Sequence, residues 1–168
     1  MTKPPTRPIT VNGVLLGPGS PLAAKRTYTA PEFSVQAGLI ELLVGPIGKG
    51  DRWSGGGLTG RIPSLILVYA IPNGGMAGGK LMGARRKREG QLRGMPDLCW
   101  PVARGHYHAL YLEAKRPKGK ARAEQLWIHN LLREQGNCVL VFDTVQMGLD
   151  CVLSYHQLLP GQALTSHA

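Results

Sequence analysis

The sequence predicts an α/β fold in which a mixed central sheet of about four strands is flanked by helices. Two patterns carry that prediction. Short apolar runs of strand length recur at residues 65–71, 96–101, 108–113 and 139–142, set off by Gly, Pro, Asn or Asp. Segments with apolar residues at helical spacing lie before, between and after these runs, an order that suits a sheet covered by helices. At 168 residues and 43% apolar composition, the chain is long enough to bury one real core.

The elements follow in order. Residues 1–29 are rich in Pro, Gly and Thr with little periodicity, so they read as a flexible N-terminal arm ahead of a single domain at 30–168. Thr29-Ala-Pro-Glu32 has the T-x-x-E form of a helix start, with Pro in the first turn. Val35, Leu39, Leu42 and Leu43 follow at helical spacing, and Gly45-Pro46 ends the helix. A Gly-rich loop covers 45–61. The apolar run 65–71 reads as a buried strand closed by Pro72-Asn-Gly-Gly75, and the basic stretch 76–89 as a helix interrupted by glycines.

Strands at 96–101 and 108–113 are expected to pair through a turn near Gly105. Alternation puts Leu110 and Leu112 on one face, with Tyr111, Glu113 and Lys115 on the other. An amphipathic helix at 123–135 carries Leu126, Trp127, Leu131 and Leu132, with Trp127 and Leu131 assigned to the core, and stops at Gly136. A strand at 139–142 and a closing helix at 146–158 complete the order α-β-(α)-β-β-α-β-α.

Charge narrows the function. Lys and Arg number 20 against 10 for Asp and Glu, a formal charge of +10. Residues 80–122 hold twelve basic side chains and three acids, Glu89, Asp97 and Glu113. A field of that sign attracts phosphate backbones. The three cysteines, Cys99, Cys138 and Cys151, form no C-x-x-C pair, which argues against a zinc ribbon or a disulfide framework. No apolar run reaches the ~18 residues that span a bilayer, and Met1-Thr-Lys-Pro-Pro has no hydrophobic signal region. The expectation is a soluble, cytoplasmic protein with no membrane partner.

The acids stand where chemistry would need them. Glu113 and Lys115 share one strand face, and Asp97 begins the neighbouring strand sixteen residues earlier, within reach of Glu113 through a hairpin. Crowded carboxylates repel unless a cation lies between them, and a hard divalent ion such as Mg²⁺ needs few protein oxygens because it keeps several waters. Such an ion polarises a phosphoryl oxygen and activates water, while Lys115 can orient that water or stabilise developing negative charge. The chemistry expected is phosphodiester hydrolysis on DNA.

The ordered strings Ala70-Ile-Pro-Asn-Gly-Gly75, Lys87-Arg-Glu-Gly90, Gly94-Met-Pro-Asp97, Pro101-Val-Ala-Arg-Gly105 and Tyr111-Leu-Glu-Ala-Lys-Arg-Pro-Lys-Gly119 resemble the virus-type replication-repair nuclease (VRR-NUC) family of the PD-(D/E)xK superfamily. The resemblance runs from about residue 32 to 142. It implies a restriction-endonuclease-like core and an Mg²⁺- or Mn²⁺-dependent endonuclease. By position, it makes Asp97 and Glu113 metal ligands, Lys115 the catalytic lysine and Ala114 a carbonyl ligand, although Ala114 stands where a larger apolar residue is usual. It matches the family's first-helix Glu and Gln to Glu32 and Gln36, with Glu41 as the alternative acid, and the later helix Gln to Gln125. Small stand-alone members resemble homodimeric resolvases, so it further implies branched, Holliday-junction-like DNA and a homodimer.

Lys80, Arg85, Arg86, Lys87, Arg88, Arg116, Lys118 and Lys120 are the expected phosphate contacts. The alternative is a non-catalytic DNA-binding protein that keeps the fold, which would have no need of Asp97, Glu113 and Lys115 together. A P-loop reading of Gly74 to Lys80 fails because Leu81 replaces the Ser or Thr that binds Mg²⁺, so no nucleotide cofactor is expected. His106 and His108 near Cys99 match no standard zinc spacing and read as exposed hairpin residues.

Overall fold

The computed structural model describes residues 9–11, 14–16, 32–45, 56–72, 88–117 and 119–164. Two short strands come first, β1 (Ile9–Val11) and β2 (Val14–Leu16), paired antiparallel with Ile9 opposite Leu16. They fall inside the stretch expected to be an aperiodic arm. The signal for them is Asn12-Gly13 between apolar triplets, a strong short-range hairpin pattern.

Helix α1 (Glu32–Val44) buries Val35, Leu39, Ile40, Leu43 and Val44. Thr29 and Pro31 of its expected start lie outside the described residues. The chain returns to cap its other end. Leu58 N–H reaches Leu42 O and Leu43 O at 3.1 and 3.0 Å, satisfying carbonyls that a helix end leaves open. Gly57 makes this approach possible, since at φ 60° an added Cβ would sit 2.5 Å from Leu42 O.

The strand expected at 65–71 is mostly something else. Pro63 opens a 3-10 helix, Pro63–Leu67, and strand β3 is only Tyr69–Ala70. A proline in the first turn pre-sets helical φ, and Trp100 Nε1–H donates to Ser64 O at 2.9 Å, pinning that turn to the sheet. The helix expected at 76–89 falls almost wholly outside the described residues.

The sheet is then completed by β4 (Leu98–Trp100), β5 (Leu110–Ala114) and, across helix α2 (Ala123–Glu134), β6 (Cys138–Phe142). Its order is β3-β4-β5-β6, antiparallel except for the parallel β5–β6 pair, in which Leu110 lies opposite Cys138 and Ala114 opposite Phe142. Helix α3 (Val145–His156) closes the domain, with Thr144 Oγ1 accepting from Met147 N–H at its start.

Leu98, Trp100, Leu110, Leu112 and Ala114 form one sheet face and share the main core with α1 and α3. Gly148 lets the two helices and the sheet meet, because a Cβ there would lie 2.7 Å from the Phe142 ring and 2.8 Å from Leu39. The opposite face carries Tyr111 and Glu113 and is covered in part by α2, which leaves Tyr69 and Val141 exposed. Trp127 and Leu131 do not lie in the core, contrary to their helical spacing. Trp127 is 61% exposed, and Leu126 and Leu131 are exposed too, while Ile128 and His129 are the buried residues of α2. The helix turns Gln125, Ile128, His129 and Leu132 toward the sheet, and Trp127 lies about 200° around the helix from Gln125.

Candidate active site

Alternation along β5 fixes the centre of the site. Burial of Leu110, Leu112 and Ala114 in the main core turns Glu113 to the other face, where it is 2% exposed. Antiparallel pairing sets Leu98 opposite Leu112, so Asp97, just before β4, stands beside Glu113. The Asp97 carboxylate oxygen Oδ2 accepts from Ala114 N–H at 2.9 Å, and its carbonyl accepts from Ile71 N–H at 2.8 Å. Asp97 is thereby fixed between β5 and the end of β3.

The loop before Asp97 is held as well. Gly94, at φ 88°, lies so close to the first turn of α2 that an added Cβ would be 2.9 Å from Glu124 O. The same turn delivers Gln125. Its Nε2 donates to Glu113 Oε1, and its Oε1 accepts from Lys115 Nζ at 3.0 Å and from Arg122 N–H at 3.0 Å. The last of these bonds satisfies an amide at the helix start, which the Arg122 side chain, having no acceptor, could not do for its own turn. Lys115 Nζ also donates to Glu113 Oε1 at 2.5 Å, a buried ion pair.

The other oxygen of Glu113 faces His129. Nε2 of that imidazole is 3.7 Å from Glu113 Oε2, and both atoms are buried without a hydrogen-bond partner. Beyond Glu113 on this face, Cys99 lies in register with Tyr69 and Tyr111 across three strands. Burial pushes the Cys99 and Tyr111 groups up, and hydrogen bonding to Cys99 is the main reason Tyr69 is pushed up to about 12. These three stay neutral donors at ordinary pH.

The structure therefore brings together Asp97, Glu113, Lys115 and Gln125, with Ala114 between the first three on the backbone. It does not bring in every expected residue. Glu32 begins α1, but its side chain lies outside the described residues; Glu41 is on the exposed side of that helix, and Gln36 is half-buried. Arg88, Arg116 and Lys120 are exposed, whereas Lys80, Arg85, Arg86, Lys87 and Lys118 lie outside the described residues, as does the P-loop-like segment. His106 and His108 are exposed, as expected of hairpin residues. His129 is the residue the sequence reading passed over. Its signal was the helical i, i+4 spacing from Gln125.

Among the described residues, no three or more His, Cys, Asp or Glu side chains are grouped to hold a metal ion. Two carboxylates are present, which is a set that a hydrated Mg²⁺ accepts. The unpartnered, buried Glu113 Oε2 also marks an acceptor with capacity to spare. The donor set fits a hard divalent ion.

A four-stranded mixed sheet, with α1 and α3 on one face and α2 beside the paired acids on the other, defines an α/β fold. The chain is similar to a solved structure described as a VRR_NUC domain protein, with a TM-score of 0.60 and 21% identity, over 82% of this chain and 98% of that one. This likeness shows that the chain has the fold of that VRR_NUC domain protein. Neither a scan against protein-family models nor a search of curated proteins returns a match. Among the described residues, no helix is long and apolar enough to cross a membrane.

Proposed function

We propose that the protein is a metal-dependent DNA endonuclease that cuts phosphodiester bonds at Asp97, Glu113 and Lys115. The observation that carries this is the convergence of two carboxylates, a buried lysine and Gln125 at one end of β4 and β5, in a chain of charge +10. A structural ion pair would account for Glu113 and Lys115. It would not account for Asp97 fixed beside them, nor for a glutamine joining the same carboxylate.

Asp97 and Glu113 would hold Mg²⁺ or Mn²⁺, with Ala114 O and the α1 acid Glu32 as further candidates. The ion would polarise a phosphoryl oxygen and acidify a bound water. Lys115, drawn off Glu113, would place its ammonium against the reacting phosphate and stabilise the charge that develops there. Until a cation binds, Gln125 keeps the lysine and the carboxylate in register. Exposed Arg116 and Lys120, one and five residues after Lys115, would take the flanking phosphates. The resemblance to junction resolvases points to branched DNA and a homodimer, since two sites related by symmetry can make paired cuts.

The test is cleavage of four-way junctions, flaps, duplex and single strands with Mg²⁺, Mn²⁺ or EDTA, by wild type and Asp97→Asn. The substituted amide keeps an oxygen that can accept from Ala114 N–H, so the fold should hold. The expected result is cation-dependent cutting with a preference for junctions, lost in Asp97→Asn while DNA binding persists. Undiminished cleavage by Asp97→Asn would falsify the catalytic assignment. Binding without cleavage by wild type would favour a DNA-binding protein that keeps the fold.

A further inference from the structure

Glu113 is gripped on one oxygen only. Oε1 takes Lys115 and Gln125, while Oε2, buried and without a partner, faces the equally unpartnered Nε2 of His129 at 3.7 Å. His129 is 1% exposed. Burying an imidazole donor without a partner is costly, and a leucine at this place would fill the space without that cost. Gln125 and His129 are one turn apart on the same side of α2. One helix thus presents a donor to each oxygen of one carboxylate, and one of the two bonds is unmade. The gap exceeds an ordinary N–H···O distance by only about 0.7 Å.

We propose that His129 is the positioning residue for Glu113: it donates from Nε2 to Oε2 when Oε1 passes from Lys115 and Gln125 to the metal ion. The inference rests on the nuclease reading above. In the cation-free arrangement, the two donors on Oε1 pull the carboxylate away from His129. Releasing them frees it to turn toward the imidazole. Holding Oε2 there leaves Oε1 as the ligating atom and fixes its direction. Partners of metal ligands act in this way, and their loss weakens metal binding about 10–100-fold.

The experiment measures Mn²⁺ binding without DNA, by calorimetry and electron paramagnetic resonance, on wild type, His129→Leu, His129→Gln and His129→Asn. A glutamine amide nitrogen reaches about as far as Nε2, while asparagine falls short. The expected result is Mn²⁺ affinity about 10-fold or more weaker in His129→Leu and His129→Asn, and near wild type in His129→Gln. If the leucine variant does not fold, the Gln and Asn variants preserve the contrast. Equal Mn²⁺ affinity in all folded variants would overturn the inference, as would equal losses in Gln and Asn. A nitrogen hyperfine coupling on bound Mn²⁺ would also overturn it, by making His129 a ligand. A wild-type protein that neither binds Mn²⁺ nor cuts DNA would remove the nuclease reading and this inference together. One that does both, with unchanged variants, removes the inference alone.

Discussion

Replacing Lys115 by methionine should destabilise the cation-free protein severely, quite apart from any effect on cleavage. Methionine keeps most of the aliphatic stem, so the change removes a charge more than it removes volume. The partner is Glu113, 2% exposed, whose Oε1 would keep only Gln125 and whose Oε2 has no partner. Removing one member of a buried pair leaves an uncompensated charge, which costs about 3–5 kcal/mol. For a domain of this size, each kcal/mol moves the melting midpoint by about 2–4 °C. The expected loss is therefore about 6–20 °C in EDTA, read by circular dichroism and by guanidinium unfolding. Lys115→Met combined with Glu113→Gln should recover most of it, because both charges are then gone. A midpoint for Lys115→Met within about 2 °C of wild type, or additive losses in the double variant, would refute a buried, mutually dependent pair.

Two further outcomes follow from packing. Gly57→Ala should cost at least about 1–3 kcal/mol, since its Cβ would meet backbone at Leu42 and Gly45. Gly60→Ala, which meets nothing within 4 Å, should stay within about 0.5 kcal/mol of wild type in the same denaturation series; equal effects would mean that the return loop does not cap α1. Trp127→Gln should likewise be nearly neutral, within about 0.5 kcal/mol, while Ile128→Ala on the buried side of α2 should cost about 2–5 kcal/mol. Comparable losses would place Trp127 in a core after all.

Much of the site was legible because strands enforce a two-residue period. Glu113 and Lys115 share a face for that reason alone, and the hairpin length brought Asp97 to them. Helix α2 was harder. Its more apolar side, with Leu126, Trp127 and Leu131, is the exposed one, and the side turned inward carries Gln125 and His129. Hydrophobic periodicity assumes that apolar residues face the interior, and a helix that closes a polar site breaks this assumption. The strand expected at 65–71 failed for a local reason: Pro63 starts a 3-10 turn within an apolar run that otherwise reads as extended. The β1–β2 pair carried its signal in Asn12-Gly13, but three-residue strands are too short for periodicity to register.

Gln125 serves two structures with one amide. Its oxygen satisfies Arg122 N–H at the start of α2 while also holding Lys115, and its nitrogen holds Glu113. Anything that draws this side chain away from the carboxylate therefore bears on the helix start, and anything that secures the helix start bears on the carboxylate. On the proposed metal-dependent reading the two equilibria are linked, and linkage is reciprocal: whatever cation loading would do to fraying of the first turn, a change that alters fraying would do in equal measure to cation affinity. The opening of α2 is thus a thermodynamic handle on the site, and residues 121–124, none of them part of the chemistry, become places from which it can be tuned.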